Sequence, residues 1–382
     1  MTRPFTVLIA FDSFKESMSS LEAAHAFTTG FKKGFPTARL LVFPISDGGE
    51  GFTRAFLGHR GERIAVRVHD PLFRPITAAF GLLSDPKRAI VECAAASGLE
   101  RLAVSERNPL NTTSYGTGEL IRHALNRHIP EIIIGLGGSA TNDGGTGLAQ
   151  ALGIRFLDKK GVLMPAPIRG KDLSHIGTIS MDSVDKRLAR CTLIAASDVR
   201  NPMTGSQGAS AIFGPQKGAT PVMVRELDNG LRHLAKLIHR DLGRKVEKQP
   251  GSGAAGGLGG GLSAFFGAKQ VSGIRFLLEH NGFSAALAKA NLVVTGEGRL
   301  DGQSLQGKAV VGVARYCLNT GVPCIALCGS IEPSDKRLYK TGLTAAFSIL
   351  PGLTNLPSAL IKGKTHLHQT GENLARLLRK IT

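Results

Sequence analysis

The run Ile132-Ile133-Ile134 passes directly into GLGGSATNDGGTG at residues 135–147, and the apolar-rich LAQAL follows. An apolar run, a glycine-dense loop and a helical pattern, in that order, constrain the fold more than any other feature. Glycine lacks a Cβ and tolerates positive φ, so such a loop brings backbone close to something. The same order recurs near the start. Strand-like Phe5 to Ala10 runs into FDSFKESMSS and then helical Leu21 to Lys33, with Ser19 or Ser20 as N-cap and Glu16 and Glu22 suited to the positive helix end. Leu40 to Pro44 runs into ISDGGEG and helical Phe52 to Leu57. Repeated strand–loop–helix order predicts a parallel sheet covered by helices, with ligands at the carboxyl ends of the strands.

From about residue 64 the pattern changes. Ile64 to Val68 and Ile76 to Leu83 alternate across the turn DPLFRP, which predicts a hairpin. Strand-like Ala89 to Cys93, helical Gly118 to Asn126, strand Glu131 to Leu136 and strand Leu193 to Ala196, ending in SDVRNP, follow. After a basic helix around Leu227 to Leu242 and the stretch GSGAAGGLGGGL, strand Asn291 to Thr295 ends in GEGRLDG. Cys324 to Gly329, Ala345 to Leu350 and a helix from Leu356 return to the opening style. The expected architecture is α/β: a discontinuous flavodoxin- or Rossmann-like parallel-sheet domain from residues 1–64 plus 288–382, with a second α/β domain inserted at 65–287.

Composition narrows the functional classes. Of 382 residues 42% are hydrophobic and 20% charged, as in an ordinary globular protein. The net charge of +18 could attract nucleic acid, but the basic residues are dispersed. With no Trp and 3 Tyr, a stacking platform for single strands is poorly supplied, so nucleic-acid binding is the weaker reading. No apolar run is long enough to span a membrane, and the N-terminal run Val7 to Ala10 is too short for a signal segment. Five cysteines without metal spacing, two of them in the apolar run VPCIALC, suit a reducing, cytoplasmic setting. The sequence is compatible with a homo-oligomer.

Two glycine loops resemble nucleotide-binding fingerprints. GLGGSA satisfies the dinucleotide pattern G-x-G-x-x-A, and Asp158 closes the next apolar run where a ribose-binding acid would stand. An NAD(P)-dependent dehydrogenase is therefore a rival class. Against it, Thr141 to Gly145 prolongs the loop where the fingerprint helix should begin. GQSLQGKA at 302–309 has Walker A spacing, but Ala replaces the magnesium-binding hydroxyl and GEGRL separates it from its strand. What recurs instead is a strand-end loop with glycines and acids: Asp12, Asp47 with Glu50, Asn142 with Asp143, Asp198, and Glu297 with Asp301. Carboxylates repel phosphate unless a cation bridges them, so glycines, acids, Lys15 and Lys308 together suit magnesium-assisted phosphoryl transfer.

FDSFKESMSS, ISDGGEG, ECAAASGL, TSYGTGEL, GLGGSATNDGGTG, FGPQKGAT, GSGAAGGLGGG, TGEGRLDGQSLQGKA and FSILPG occur in that order over nearly the whole chain. This ordered set resembles the bacterial class I glycerate kinases. The resemblance implies the glycerate kinase I fold and phosphorylation of the small molecule D-glycerate by ATP with Mg2+, giving 2-phosphoglycerate rather than the 3-isomer. The chain departs from the family pattern at Phe11, usually Pro, and in MPAPIRGKD at 164–172. On this reading Asp198, with Asp47 as second choice, accepts the hydroxyl proton, and Lys15 assists the chemistry. Asn142, Asp143, Glu297 and Asp301 are the candidate metal ligands. Asp12, Ser13, Gly48, Gly49, Glu50, the N–H groups from Gly137 through Gly138 and Ser139 to Ala140, Arg299 and Lys308 are expected to hold substrate and phosphate.

Overall fold

The computed structural model describes residues 4–46, 48–49, 51–58, 60–302, 304, 309–332 and 337–382. The chain opens with β1 (Thr6–Phe11), α1 (Ser20–Gly34) and β2 (Arg39–Val42), followed by α2 (Phe52–Leu57). Three strands come next, β3 (Gly61–His69), β4 (Pro75–Ser84) and β5 (Lys87–Glu92), then α3 (Cys93–Ser97) and α4 (Tyr115–Leu125). The central stretch holds β6 (Glu131–Gly135), α5 (Thr146–Ala151), β7 (Arg155–Asp158), β8 (Ile176–Ser180) and β9 (Thr192–Ala196). Helices α6 (Ala209–Phe213), α7 (Pro221–Leu242) and α8 (Leu258–Phe266) precede β10 (Lys269–Val271), α9 (Gly273–His280) and α10 (Phe283–Leu287). The last part comprises β11 (Leu292–Gly296), β12 (Arg299–Leu300), α11 (Ala309–Cys317), β13 (Cys324–Cys328), β14 (Ser330–Ile331), β15 (Ala345–Ser348) and α12 (Leu356–Ile381). The chain is mixed α/β with parallel sheets, and it divides into two compact units, Met1–Asp47 with Gly273–Thr382, and Gly48–Ser272. These divisions fall at 47/48 and 272/273, whereas the sequence pattern placed them at 64/65 and 287/288.

The first unit is a five-stranded sheet in the order β15-β13-β11-β1-β2, with every pair parallel. β1 is buried at every position, which explains why VLIAF reads as a continuous apolar run rather than an alternating one. Val7, Ile9 and Phe11 share one core with Phe27 and Phe31 of α1 and Leu367 and Ala375 of α12. The Phe11 ring lies 5.5 Å from Phe27 and 6.1 Å from Phe14, so the aromatic departure at this position is absorbed by packing. Of the two serines expected as N-cap, Ser19 caps helix α1 and Ser20 begins it. Glu22 N–H donates to Ser19 Oγ and Ser19 N–H donates to Glu22 Oε2 at 2.9 Å, a capping box.

The second unit is a six-stranded sheet in the order β10-β9-β6-β5-β4-β3. β5, β6, β9 and β10 are parallel, and β4 and β3 extend the sheet as the expected antiparallel hairpin. Asp70 closes that hairpin by accepting from the N–H groups of Leu72 and Arg74 and from Arg74 Nε. β7 and β8 form a separate antiparallel ribbon. The variant segment 164–172 folds into this unit: Ile168 is buried and donates its N–H to Gln150 Oε1 at 2.7 Å, and Lys171 N–H donates to Leu110 O.

α1 and α12 pack so closely that a Cβ at Gly30 would lie 2.0 Å from His368 O. Alanine is the better helix former by about 1 kcal/mol, so an isolated helix would gain from Gly30→Ala. Here the sign should reverse. The variant should lose about 1–3 kcal/mol in denaturant unfolding because the two helices must separate. A stabilised variant would show that the helices are not in this contact.

Candidate functional site

In the second unit the carboxyl ends of β5, β6, β9 and β10 lie side by side, since Glu92 pairs with Gly135, Gly135 with Ala196, and Ala196 with Val271. The loop after β6 therefore lies between the loop after β5 and the loop after β9. Its glycines mostly approach other parts of the same unit. A Cβ at Gly137 would fall 2.4 Å from Gly49 Cα, one at Gly144 would meet Leu234, and one at Gly147 would meet Thr113 Oγ1 at 2.1 Å. Gly137 N–H donates to Gly48 O at 2.9 Å, and Ala140 N–H donates to Ser97 O at 2.8 Å. The expectation that these two amides hold an anion is thus corrected: both are committed to the fold. Gly48 likewise serves as acceptor for Gly137, at φ 93°.

Two amides remain. Gly138, exposed and at φ 71°, and Ser139 donate their N–H groups to no other group among the described residues. Successive free N–H groups around a left-handed residue form an anion-binding concavity.

Asn142 and Asp143 lie deeper, both with 0% exposure. Asp143 Oδ2 accepts from Ser114 N–H at 2.7 Å, from Ser114 Oγ at 2.8 Å and from Gly147 N–H at 3.3 Å, while Oδ1 accepts from Gly145 N–H at 3.1 Å. Burial pushes its carboxyl above the ordinary range, against the pull of these donors. Asp143 therefore organises the starts of α4 and α5, and the expectation that it is a metal ligand does not fit its contacts. Asn142 donates to Ser210 Oγ at 3.0 Å, and its buried Oδ1 has no partner among the described residues. Its enclosure sets it apart from an accessible cation site.

Asp198, in the loop after β9, is half-buried and accepts from Ser272 Oγ at 2.5 Å. Ser272 directly follows β10, the neighbouring parallel strand, so two strand ends fix this carboxylate at the edge of the sheet. Leu136 N–H donates to Ala196 O at 3.1 Å, which ties the start of the glycine loop to the strand that carries Asp198. The result is an accessible, oriented carboxylate on the strand next to the loop that carries the two unbonded amides.

Sequence reasoning missed Lys217. It sits in FGPQKGAT, is only 2% exposed, and donates through Nζ to Ser139 Oγ at 2.9 Å and to Thr141 O at 2.7 Å. Burial pulls its ammonium down to about 8. A lone lysine between Gly214 and Gly218 was the available signal, because glycines on both sides let a short turn aim one side chain inward. Ser272 carried no such signal.

In the first unit the acids gather at the carboxyl ends of β1 and β11. Asp12 is buried, its N–H donates to Gly296 O, and its Oδ1 accepts from Ser13 N–H at 2.8 Å. Glu297 is buried and accepts from Ser304 Oγ at 2.7 Å. Ser304 N–H in turn donates to Asp301 Oδ1 at 3.3 Å, so one serine links both carboxylates. Arg299 pairs with Glu332, which raises its pKa, and lies 3.7 Å from Asp301. Lys15 is exposed. Asp47, Glu50 and Lys308 lie outside the described residues. Among the described residues no group of three or more His, Cys, Asp or Glu side chains is placed to hold a metal ion.

The dinucleotide reading fails on topology. Asp158 ends β7, which belongs to the antiparallel ribbon and not to a strand beside β6. Its Oδ1 accepts from the N–H groups of Lys160 and Val162, so the carboxylate closes a turn, and these bonds hold its pKa low. Cys324 and Cys328 are buried free thiols, as expected for small core residues in VPCIALC, and Cys93 and Cys317 are buried free thiols as well. No helix among the described residues is long and apolar enough to cross a membrane.

Known proteins match over essentially the whole chain. A relative from Halalkalibacterium halodurans named glycerate kinase is 44% identical over 371 residues, covering 97% of each chain. One from Escherichia coli named glycerate 2-kinase is 41% identical over 373 residues, again covering 97% of each. A crystal structure from Salmonella typhimurium LT2, provisionally assigned as glycerate kinase 2, superposes with a TM-score of 0.81 at 44% identity over 99% of both chains. The profile of the glycerate kinase family matches residues 7–379, and the chain belongs to that family.

Proposed function

We propose that this chain transfers the terminal phosphoryl group of ATP to the 2-hydroxyl of D-glycerate, giving 2-phosphoglycerate and ADP. Family membership and the relative named glycerate 2-kinase support the substrate and the position. One observation carries the assignment of roles: Asp198, oriented by Ser272, lies at the end of the strand next to the loop with two free amides.

A hydroxyl is a poor nucleophile, and a carboxylate that orients it and accepts its proton contributes about 10²–10⁴-fold. Asp198 has the exposure and the fixed geometry for that work. The amides of Gly138 and Ser139 bind the glycerate carboxylate, a charge-assisted contact that holds the substrate in one orientation. The 2-hydroxyl stands on the carbon next to that carboxylate, so it is the hydroxyl presented to the base. In the first unit Asp12, Ser13 and Lys15 after β1 and the Glu297–Asp301 loop after β11 serve the nucleotide phosphates, with Arg299 countering charge.

The donors in that first unit also fit magnesium. Mg2+ takes oxygen ligands, and commonly only one or two carboxylates with phosphate and water completing its shell. Glu297 and Asp301, linked through Ser304, supply that pair without needing a larger cluster. When bound, the ion neutralises charge on the phosphate oxygens.

Purified protein should consume ATP only when D-glycerate and Mg2+ are both present, measured by coupled release of ADP. Turnover without glycerate, or none with it, contradicts the proposal. Asp198→Asn should lower kcat about 10²-fold or more while both KM values move by no more than about threefold, because the proton acceptor acts in the transition state. An unchanged kcat would move that role away from Asp198.

A further inference from the structure

The glycine loop has a buried cation behind it, and no carboxylate pairs with that cation. Lys217 makes no ion pair among the described residues; its ammonium donates to Ser139 Oγ and to Thr141 O alone. A buried ammonium with no carboxylate bonded to it is costly, so its persistence calls for a compensating role. Of the ionisable groups around it, the Cys93 thiol, which burial pushes up to about 11, stays neutral at neutral pH, and the buried Asp143 favours the ammonium without bonding to it.

The direction of the hydrogen bond sets the chemistry. A lysine ammonium only donates, so Ser139 Oγ must accept from it with a lone pair. The hydroxyl proton of Ser139 is then turned away from Lys217, and among the described residues it has no acceptor. The amides of Gly138 and Ser139 are in the same condition. Two N–H groups and one O–H group on consecutive residues thus present only donors, with a positive charge directly behind the hydroxyl. Such a set is complementary to an oxyanion and to nothing neutral and donor-rich. Donation from a charged group also polarises the hydroxyl and strengthens the bond that it donates in turn.

We infer that Lys217 is a positioning residue for substrate binding: it fixes the Ser139 hydroxyl as a donor and supplies the charge that pairs with the carboxylate of the hydroxy-acid substrate. The inference rests on the proposed glycerate kinase activity. The same donors would also suit a nucleotide phosphate, so the two substrates serve as separate arms of the test.

Steady-state kinetics on Lys217→Met, Ser139→Ala and the double variant decide it. Each single variant should raise KM for D-glycerate about 10-fold or more, the loss expected for a charged hydrogen bond, with kcat within about threefold and KM for ATP unchanged. The double variant should be no worse than the more impaired single one, because both changes remove one coupled donor. An unchanged KM for D-glycerate, a shift confined to ATP, or fully multiplicative losses would each overturn the inference. Should Lys217→Met fail to fold, Ser139→Ala alone decides, since it removes only the hydroxyl. Wild-type protein without turnover would count against the kinase reading itself. Calorimetric titration with inorganic phosphate would then carry the test, with binding to wild type and none to Ser139→Ala expected, and equal binding overturning it.

Discussion

One buried carboxylate holds the glycine-loop edge of the second unit in place. Asp143, fully enclosed, gathers four donors from Ser114, Gly145 and Gly147 and so joins the start of α4 to the start of α5. A negative group at a helix N-terminus is favoured by the helix dipole and satisfies amides that have no partner within the helix. Here it meets that need at two helices together. The loop between β6 and α5 is thereby fixed at its far end, which places Thr141 O and Ser139 Oγ where Lys217 can reach both.

The glycines follow from that constraint. With the loop held at Asp143, its backbone must run against Gly49, Leu234 and Thr113, and side chains at 137, 144 and 147 would collide with them. Most of the glycine content therefore buys close packing, and only the exposed turn at Gly138 faces outward. The proposed substrate contacts lie in the small part of the loop that packing leaves over. The same division of labour appears in the first unit, where a Cβ at Gly296 would meet Leu327 O at 1.9 Å while Glu297 beside it keeps its carboxylate at the strand end.

Much of this was legible in the sequence, and the reasons are local. An N-cap at Ser19 or Ser20, the DPLFRP hairpin and a strand over Phe5 to Ala10 each show in the residues themselves, because caps, turns and short apolar runs depend on near neighbours. The parallel sheet followed from the strand–loop–helix order. What a glycine approaches was not legible: Gly137 meets Gly49 from 88 positions away, and nothing in either segment names the other. Asp143 and Asp198 both look like strand-end acids in sequence, yet one is enclosed by two helix starts and the other is held half-exposed by Ser272. Lys217 escaped notice for the same reason, since a lysine between glycines reads as surface until its partners are known.

In the proposed reaction the substrate carboxylate sits at Gly138 and Ser139, with the proposed base Asp198 on the adjoining strand end. That placement presents the hydroxyl next to the carboxylate and leaves the terminal one a carbon farther away. Phosphorus NMR of the product formed from ATP, Mg2+ and D-glycerate reads the outcome directly. The proposed placement predicts the resonance of 2-phosphoglycerate, with its phosphorus coupled to the single C2 proton. Accumulation of 3-phosphoglycerate as the initial product, coupled to the two C3 protons, would contradict it.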